Sequence, residues 1–205
     1  MDDTVVISLF RHGMTDANRK KVYLGWTDSP LVEAYDPWNP GEKSFKGLVF
    51  SSDLRRCTET ASMLFPRQMV SCLQEIREMN FGSWEGLTYK DLKNQAEYIK
   101  WLEDPFTCCP PKGETFSEFS ERVERGWSRI SEALHMAGQK NAAIVTHGGV
   151  VRYFLWRYAN EQKPFWEWAV PHGGGWQMTF ILEDYRRGCR CTSLQEVPIM
   201  ARQDG

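Results

Sequence analysis

Apolar residues fall into two patterns along this chain. Residues 4–10 (TVVISLF), 47–50 (GLVF), 142–146 (AAIVT) and 178–182 (MTFIL) are short apolar runs of strand length. The first three alternate little between polar and apolar, as strands covered on both faces do. Elsewhere the apolar positions recur every three or four residues. Residues 53–65 place Leu54, Cys57, Ala61 and Leu64 on one helical stripe that stops at Pro66. Residues 88–102 (TYKDLKNQAEYIKWL) predict a second helix, closed by Pro105. The longest begins at a capping box, Thr115 to Glu118, and ends near Gly138. Its stripe is Phe116, Phe119, Val123, Trp127, Ile130 and Leu134. Strands alternating with helices predict a three-layer α/β/α sandwich on a mostly parallel central sheet.

The chain's 205 residues fit one domain, spanning 1–205, with a cap-like helical segment around 80–120. A chain of this size buries roughly 70 % of its unfolded surface, so its core needs no disulfide or metal. Lys and Arg number 25 against 27 Asp and Glu, which argues against nucleic acid or an anionic membrane as partner. The acidic start (MDDTVV), with no apolar stretch near the ~20 residues of a membrane span, leads us to expect a cytoplasmic protein. None of the six cysteines, Cys57, Cys72, Cys108, Cys109, Cys189 and Cys191, forms a C-x-x-C pair or has histidines at zinc-finger spacing. Reduced thiols are the expectation, and no metal or other cofactor.

The chemistry gathers where strands end. The first run delivers Arg11-His12-Gly13, the second Ser51-Ser52-Asp53-Leu54-Arg55-Arg56 at a helix start, and the third His147-Gly148-Gly149 at another. Sites of open α/β sheets lie at the carboxyl ends of strands, so these ends would pool two histidines with two or three arginines. Glycines let the backbone approach a ligand, and helix N-termini add N–H groups. Such a pocket suits a phosphoryl group, its oxygens gripped by planar guanidiniums. His135, late in a helix, reads as a surface residue. His172, in P-H-G-G-G-W, is either a loop turn or part of the pocket rim.

These motifs resemble the histidine phosphatase superfamily, the phosphoglycerate-mutase-like proteins, over nearly the whole chain. RHGMTDAN (11–18) matches R-H-G-x-T-x-x-N, and SSDLRRCTETA (51–61) matches S-S-x-L-x-R-A-x-x-T-A with Cys57 in place of alanine. That register selects Arg56 rather than Arg55. REMNFGSWEG (77–86) selects Glu78, and THGGVVR (146–152) supplies His147. The resemblance implies a metal-independent phosphomonoesterase in which His12 takes the phosphoryl group and water hydrolyses the phosphohistidine. Arg11, Arg56 and His147 would hold the phosphoryl oxygens, with Asn18 and the Gly13 region completing the cradle. Apart from the resemblance, Gly148 and, if its loop forms the rim, His172 are further candidate phosphate contacts. Glu78 would protonate the leaving group, while Trp84 and Glu85 fix the turn that aims it.

Two departures stand out, the first bearing on local packing and not on the chemistry, the second on mutase against hydrolase activity. The family's helix after S-P-L is shortened or lost in a proline-containing stretch within 32–47, and the chain is short for the insertion of the cofactor-dependent mutases, which favours hydrolysis. The segment 97–125 (EYIKWLEDPFTCCPPKGETFSEFSERVER) resembles α-ribazole phosphatases of cobamide synthesis, which implies a small-molecule phosphate ester such as α-ribazole 5′-phosphate as partner. Trp101, Trp166, Trp168 or Trp176 could stack on its benzimidazole ring, or could fill the core. A phosphoglycerate mutase, a broad-specificity sugar-phosphate phosphatase, a phosphate-ester-binding pseudoenzyme and a Cys/His metal protein are the alternatives.

Overall fold

A computed structural model describes residues 3–32 and 45–198. In chain order the elements are β1 (Thr4–Arg11), α1 (Asp16–Arg19), β2 (Leu48–Ser52), α2 (Arg55–Leu64), β3 (Val70–Leu73), α3 (Tyr89–Leu92), α4 (Ala96–Glu103) and α5 (Phe116–Met136). They continue through β4 (Asn141–Thr146), α6 (Gly148–Tyr158), β5 (Gly174–Ile181), α7 (Leu182–Arg186) and β6 (Ser193–Pro198). The strands form one sheet in the order β3-β2-β4-β1-β5-β6. β3, β2, β4 and β1 run parallel, whereas β5 and β6 are antiparallel additions on the other side.

Both sheet faces are buried, which explains why the strand runs barely alternate. Val5, Ile7 and Leu9 of β1 with Ala142 and Ile144 of β4 pack against α5 and α6. Phe10, Val49, Ala143 and Val145 point the other way, onto Cys57, Ala61 and Leu64 of α2. The expected three-layer sandwich is therefore present. α5 starts at the Thr115–Glu118 capping box and buries Phe119, Val123, Trp127, Ile130 and Leu134.

Several expectations need correction. The helix expected over 88–102 is two helices, α3 and α4, separated by an extended Gln95. In one continuous helix, at about 100° per residue, Leu92 and Trp101 would face opposite ways. The break lets both enter a satellite aromatic cluster with Trp84 and Tyr98. The strand expected at 178–182 begins earlier, at Gly174, and Leu182 already starts α7. β3 and β6 were not anticipated; both are short and largely polar or exposed. The proline-containing departure lies mostly outside the described residues. All six cysteines are free thiols. Among the described residues no helix is long and apolar enough to cross a membrane.

Candidate active site

The sheet order makes neighbours of the carboxyl ends of β2, β4 and β1, and this is where the candidate residues meet. β1 ends on Arg11, paired with Thr146 of β4, and the His12 N–H donates to the Thr146 carbonyl at 2.9 Å. His147 follows β4 as the residue capping α6. The His12 and His147 rings pack edge to face with centroids 5.2 Å apart.

His12 is buried, and its Nδ1 lies 2.7 Å from the Gly13 carbonyl oxygen. A carbonyl only accepts, so the proton sits on Nδ1 and the lone pair on Nε2. Burial above all, then Arg56, Arg11 and His172, hold its pKa well below the ordinary histidine value. His147 is likewise kept neutral, by burial first and then by Arg56, His12 and Arg11. Its Nε2 lies 2.9 Å from Ser52 Oγ and 3.4 Å from Cys57 Sγ.

Both arginines are held by the backbone with part of the guanidinium to spare. Arg11 Nη1 donates to the Val170 carbonyl at 2.6 Å. Arg56 Nη2 and Nη1 donate to the carbonyls of Gly25 at 2.6 Å and Thr27 at 3.0 Å. The Nε–H of each is buried without a protein partner. Unmet buried donors are costly, and two of them, both charged, beside a neutral imidazole call for an anion with several acceptor oxygens. Arg55 is exposed and engaged with Glu59 at 2.6 Å.

Glu78 enters from the segment after β3. Its carboxylate accepts from Gly149 N at 3.0 Å and Met79 N at 3.0 Å. Its carbonyl takes Trp26 Nε1 at 2.9 Å and Arg122 Nη2 at 3.1 Å. Arg122 also donates to the Glu75 and Arg77 carbonyls and forms a two-pronged pair with Glu114, 2.7 Å at each contact. The motif residues Glu114 and Arg122 thus brace the segment that carries Glu78. Glu85 accepts from Trp26 N at 2.8 Å and Thr27 N at 2.5 Å, tying down the loop whose carbonyls hold Arg56. Trp84 is buried in the satellite cluster.

The remaining candidates divide. The Gly13 N–H donates to Thr60 Oγ1 at 3.0 Å, so it is committed within the protein rather than offered to a ligand. The Asn18 Oδ1 is taken by Thr15 N and Oγ1 in a capping box, at 3.2 and 2.8 Å. A Cβ on Gly148 would come within 3.2 Å of the Arg11 guanidinium carbon, and one on Gly149 would overlap Glu78 Oε1. These two glycines make room for side chains. His172 joins the group, its ring centroid 5.4 Å from that of His12. Trp101 and Trp166, with Phe81, Phe116, Phe165 and Arg152, line a cavity on which Glu78 also borders. Trp168 and Trp176 instead pack on one another at 5.9 Å, Trp168 buried in the core. Arg152 and Ser52, both inside the motifs, join the site although nothing in the motifs themselves marks them as chemical groups. Arg152 stands four positions after Gly148, on the same face of α6, and that spacing is the signal for it.

Comparisons with known proteins show the family to which this fold belongs. The sequence profile of the histidine phosphatase superfamily (branch 1) matches residues 39–194. The adenosylcobalamin/alpha-ribazole phosphatase of Escherichia coli (strain K12) is 33 % identical over 175 residues, 80 % of this chain and 85 % of that one. The crystal structure of the alpha-ribazole phosphatase from Shigella flexneri superposes with a TM-score of 0.74 at 26 % identity, covering 98 % of both chains. A phosphoglycerate mutase of Bacillus anthracis shares the fold at 20 % identity, TM-score 0.67, over 87 % of this chain and 89 % of that one. Sequence profile, relatives and strand-end geometry converge, and the chain belongs to the histidine phosphatase superfamily, branch 1.

Proposed function

We propose that this chain hydrolyses a small-molecule phosphate monoester through a phosphohistidine on His12. The observation that carries the proposal is a neutral, buried His12 with its proton on Nδ1, beside two buried guanidiniums that each keep an unpartnered N–H. The Nε2 lone pair attacks phosphorus as the P–O bond to the alcohol breaks. Arg11, Arg56 and His147 hold the phosphoryl oxygens while charge moves, a task of positioning and electrostatics. Glu78 gives its proton to the departing alkoxide and then takes one from the water that attacks the phosphohistidine. The P–N bond breaks, and phosphate leaves with His12 neutral again. Asn18 contributes to the cradle through its Nδ2.

The leaving group is proposed to be an alcohol carrying a flat apolar ring, with α-ribazole 5′-phosphate the favoured substrate. Its support is the aromatic cavity on which Glu78 borders, together with the names of the relatives. A cavity walled mostly by Trp101, Trp166, Phe81 and Phe116, with Arg152 at its edge, offers a flat ring more contact than a compact phosphoglycerate.

The test is a panel of α-ribazole 5′-phosphate, 3-phosphoglycerate with and without a bisphosphate primer, sugar phosphates and nucleotides. Phosphate release from the first, at the highest kcat/KM, is the expected result. Protein quenched in turnover should carry acid-labile, base-stable phosphate that His12→Ala lacks; acid-stable label would refute the intermediate. Because arginines carry the charge that a metal otherwise supplies, excess EDTA should leave the rate unchanged. A loss in EDTA restored by Mg²⁺ would refute that part.

A further inference from the structure

One ionisable side chain stands against the nucleophile without a part in that mechanism. His172 lies 5.4 Å from His12 between ring centroids, the planes inclined at 58°, and its Nδ1 is 3.4 Å from the His12 carbonyl oxygen. Because that oxygen only accepts, the contact places the His172 proton on Nδ1 and leaves Nε2 bearing a lone pair.

The loop around it is tied to the site at several points. Val170, two residues before, gives its carbonyl to Arg11 at 2.6 Å. Trp176 Nε1 donates to the Ala169 carbonyl at 3.1 Å, and Gly174 N to the Pro171 carbonyl at 3.1 Å. Gly173 has φ +68°, a left-handed backbone that a side chain would strain. A Cβ on Gly175 would come 2.6 Å from the Leu9 carbonyl, so only glycine lets the loop press onto β1 just below His12. The glycine run therefore presents an imidazole at the nucleophile, which a mere surface turn does not require.

Resting on the phosphatase reading above, we infer that His172 is a third imidazole of the phosphoryl site, a catalytic residue whose Nε2 hydrogen-bonds an oxygen of the phosphoryl group on His12. In the free protein, burial first and then Arg11 push the pKa of His172 down to about 4, so it is neutral at pH 7. The ionisable groups of the surrounding site are Arg11 at the end of β1, Arg56 on α2, Arg152 on α6 and Glu78, with His12 and His147 neutral. A phosphoryl dianion seated between Arg11 and Arg56 reverses the balance of charge that His172 feels. It favours uptake of a proton from solvent onto Nε2, which then donates a charge-assisted hydrogen bond.

The chain contains 4 histidines, so the imidazole ¹⁵N spectrum of the intact wild-type protein is small enough to assign with single substitutions. Orthovanadate serves as the phosphoryl mimic at pH 7. The expected result is that His12 and His172 both respond, with His172 Nε2 moving from an unprotonated to a protonated shift. A response at His12 with His172 unmoved overturns the role of His172 and leaves the phosphatase reading standing. No response at either ring overturns both. In kinetics, His172→Asn should lower kcat/KM by about 10²-fold, near the low end of what loss of one transition-state donor costs. The loss should be equal for p-nitrophenyl and alkyl phosphates, because the contact is to the phosphoryl group, and the alkaline limb of the kcat profile set by His172 should vanish. Wild-type kcat/KM and an unaltered pH profile in His172→Asn would contradict the assignment.

Discussion

Arg55 and Arg56 occupy adjacent positions and opposite environments. Arg56 is buried beside Thr60, one turn on, with its guanidinium between the Gly25 and Thr27 carbonyls, whereas Arg55 lies in solvent against Glu59. Arg56→Ala should therefore lower kcat by about 10²–10³, the usual loss for one transition-state donor. Arg55→Ala should change it by less than about threefold, since an exposed ion pair contributes about 0–1 kcal/mol. Equal losses in the two variants would show that the wrong arginine faces the phosphate. At this scale most of the candidate site was legible, because chemistry-bearing residues at the ends of apolar runs gather on one edge of a sheet. What the residues alone could not reveal was where their hydrogen bonds would go. Gly13 N–H donates to Thr60 and Asn18 Oδ1 closes a cap, both partners fixed by tertiary packing.

At the scale of elements, Glu78 depends on supports from distant parts of the chain. The start of α6 touches it through Gly149, where an added methyl would overlap the carboxylate. Gly149→Ala should displace the acid and depress hydrolysis of alkyl phosphates by about 10²-fold or more, the scale of general-acid catalysis, while sparing p-nitrophenyl phosphate, whose leaving group needs little help. The ratio of kcat/KM for the two substrates is the measurement, and equal losses would remove Glu78 from the acid's role. Glu85→Gln weakens the tie on residues 26 and 27, and through them the grip on Arg56. It should lower both substrates in parallel; a selective loss on alkyl phosphates would transfer the acid's role to Glu85. Long amphipathic elements such as α5 were legible from periodicity and a capping box. β3 and β6 were not, since a strand of 4 residues with two exposed positions has no measurable period, and β6 is recognisable only by the strand it pairs with. The break between α3 and α4 was hidden for a related reason, since Leu92, Tyr98 and Trp101 share a cluster only after the chain turns.

At the scale of the whole molecule, the neutral buried histidines link stability to pH. The folded-state pKa values of His12 and His147 are depressed, so below the ordinary value of 6.5 the unfolded chain binds protons that the native state refuses. Their contribution is complete above that value and is lost as pH falls. Each histidine should contribute a slope of about 1.4 kcal/mol per pH unit on the acid side. Urea unfolding at pH 7, 6 and 5 should show stability falling, less steeply in His12→Asn; a wild-type stability independent of pH would contradict the neutral assignment. The sheet order carries a further consequence, for the route by which the chain folds. β1 is the first strand in sequence, yet its sheet neighbours are β4 and β5, both from the last third of the chain. Closing so large a loop spends chain entropy before the pairing is rewarded, which slows folding. Of the sheet strands, the one that ends at His12 is synthesised first and docks late, so amide protection in β1 and recovered activity should rise together in the slowest refolding phase. Protection of β1 well ahead of β4 would break that link between the order of synthesis and the assembly of the site.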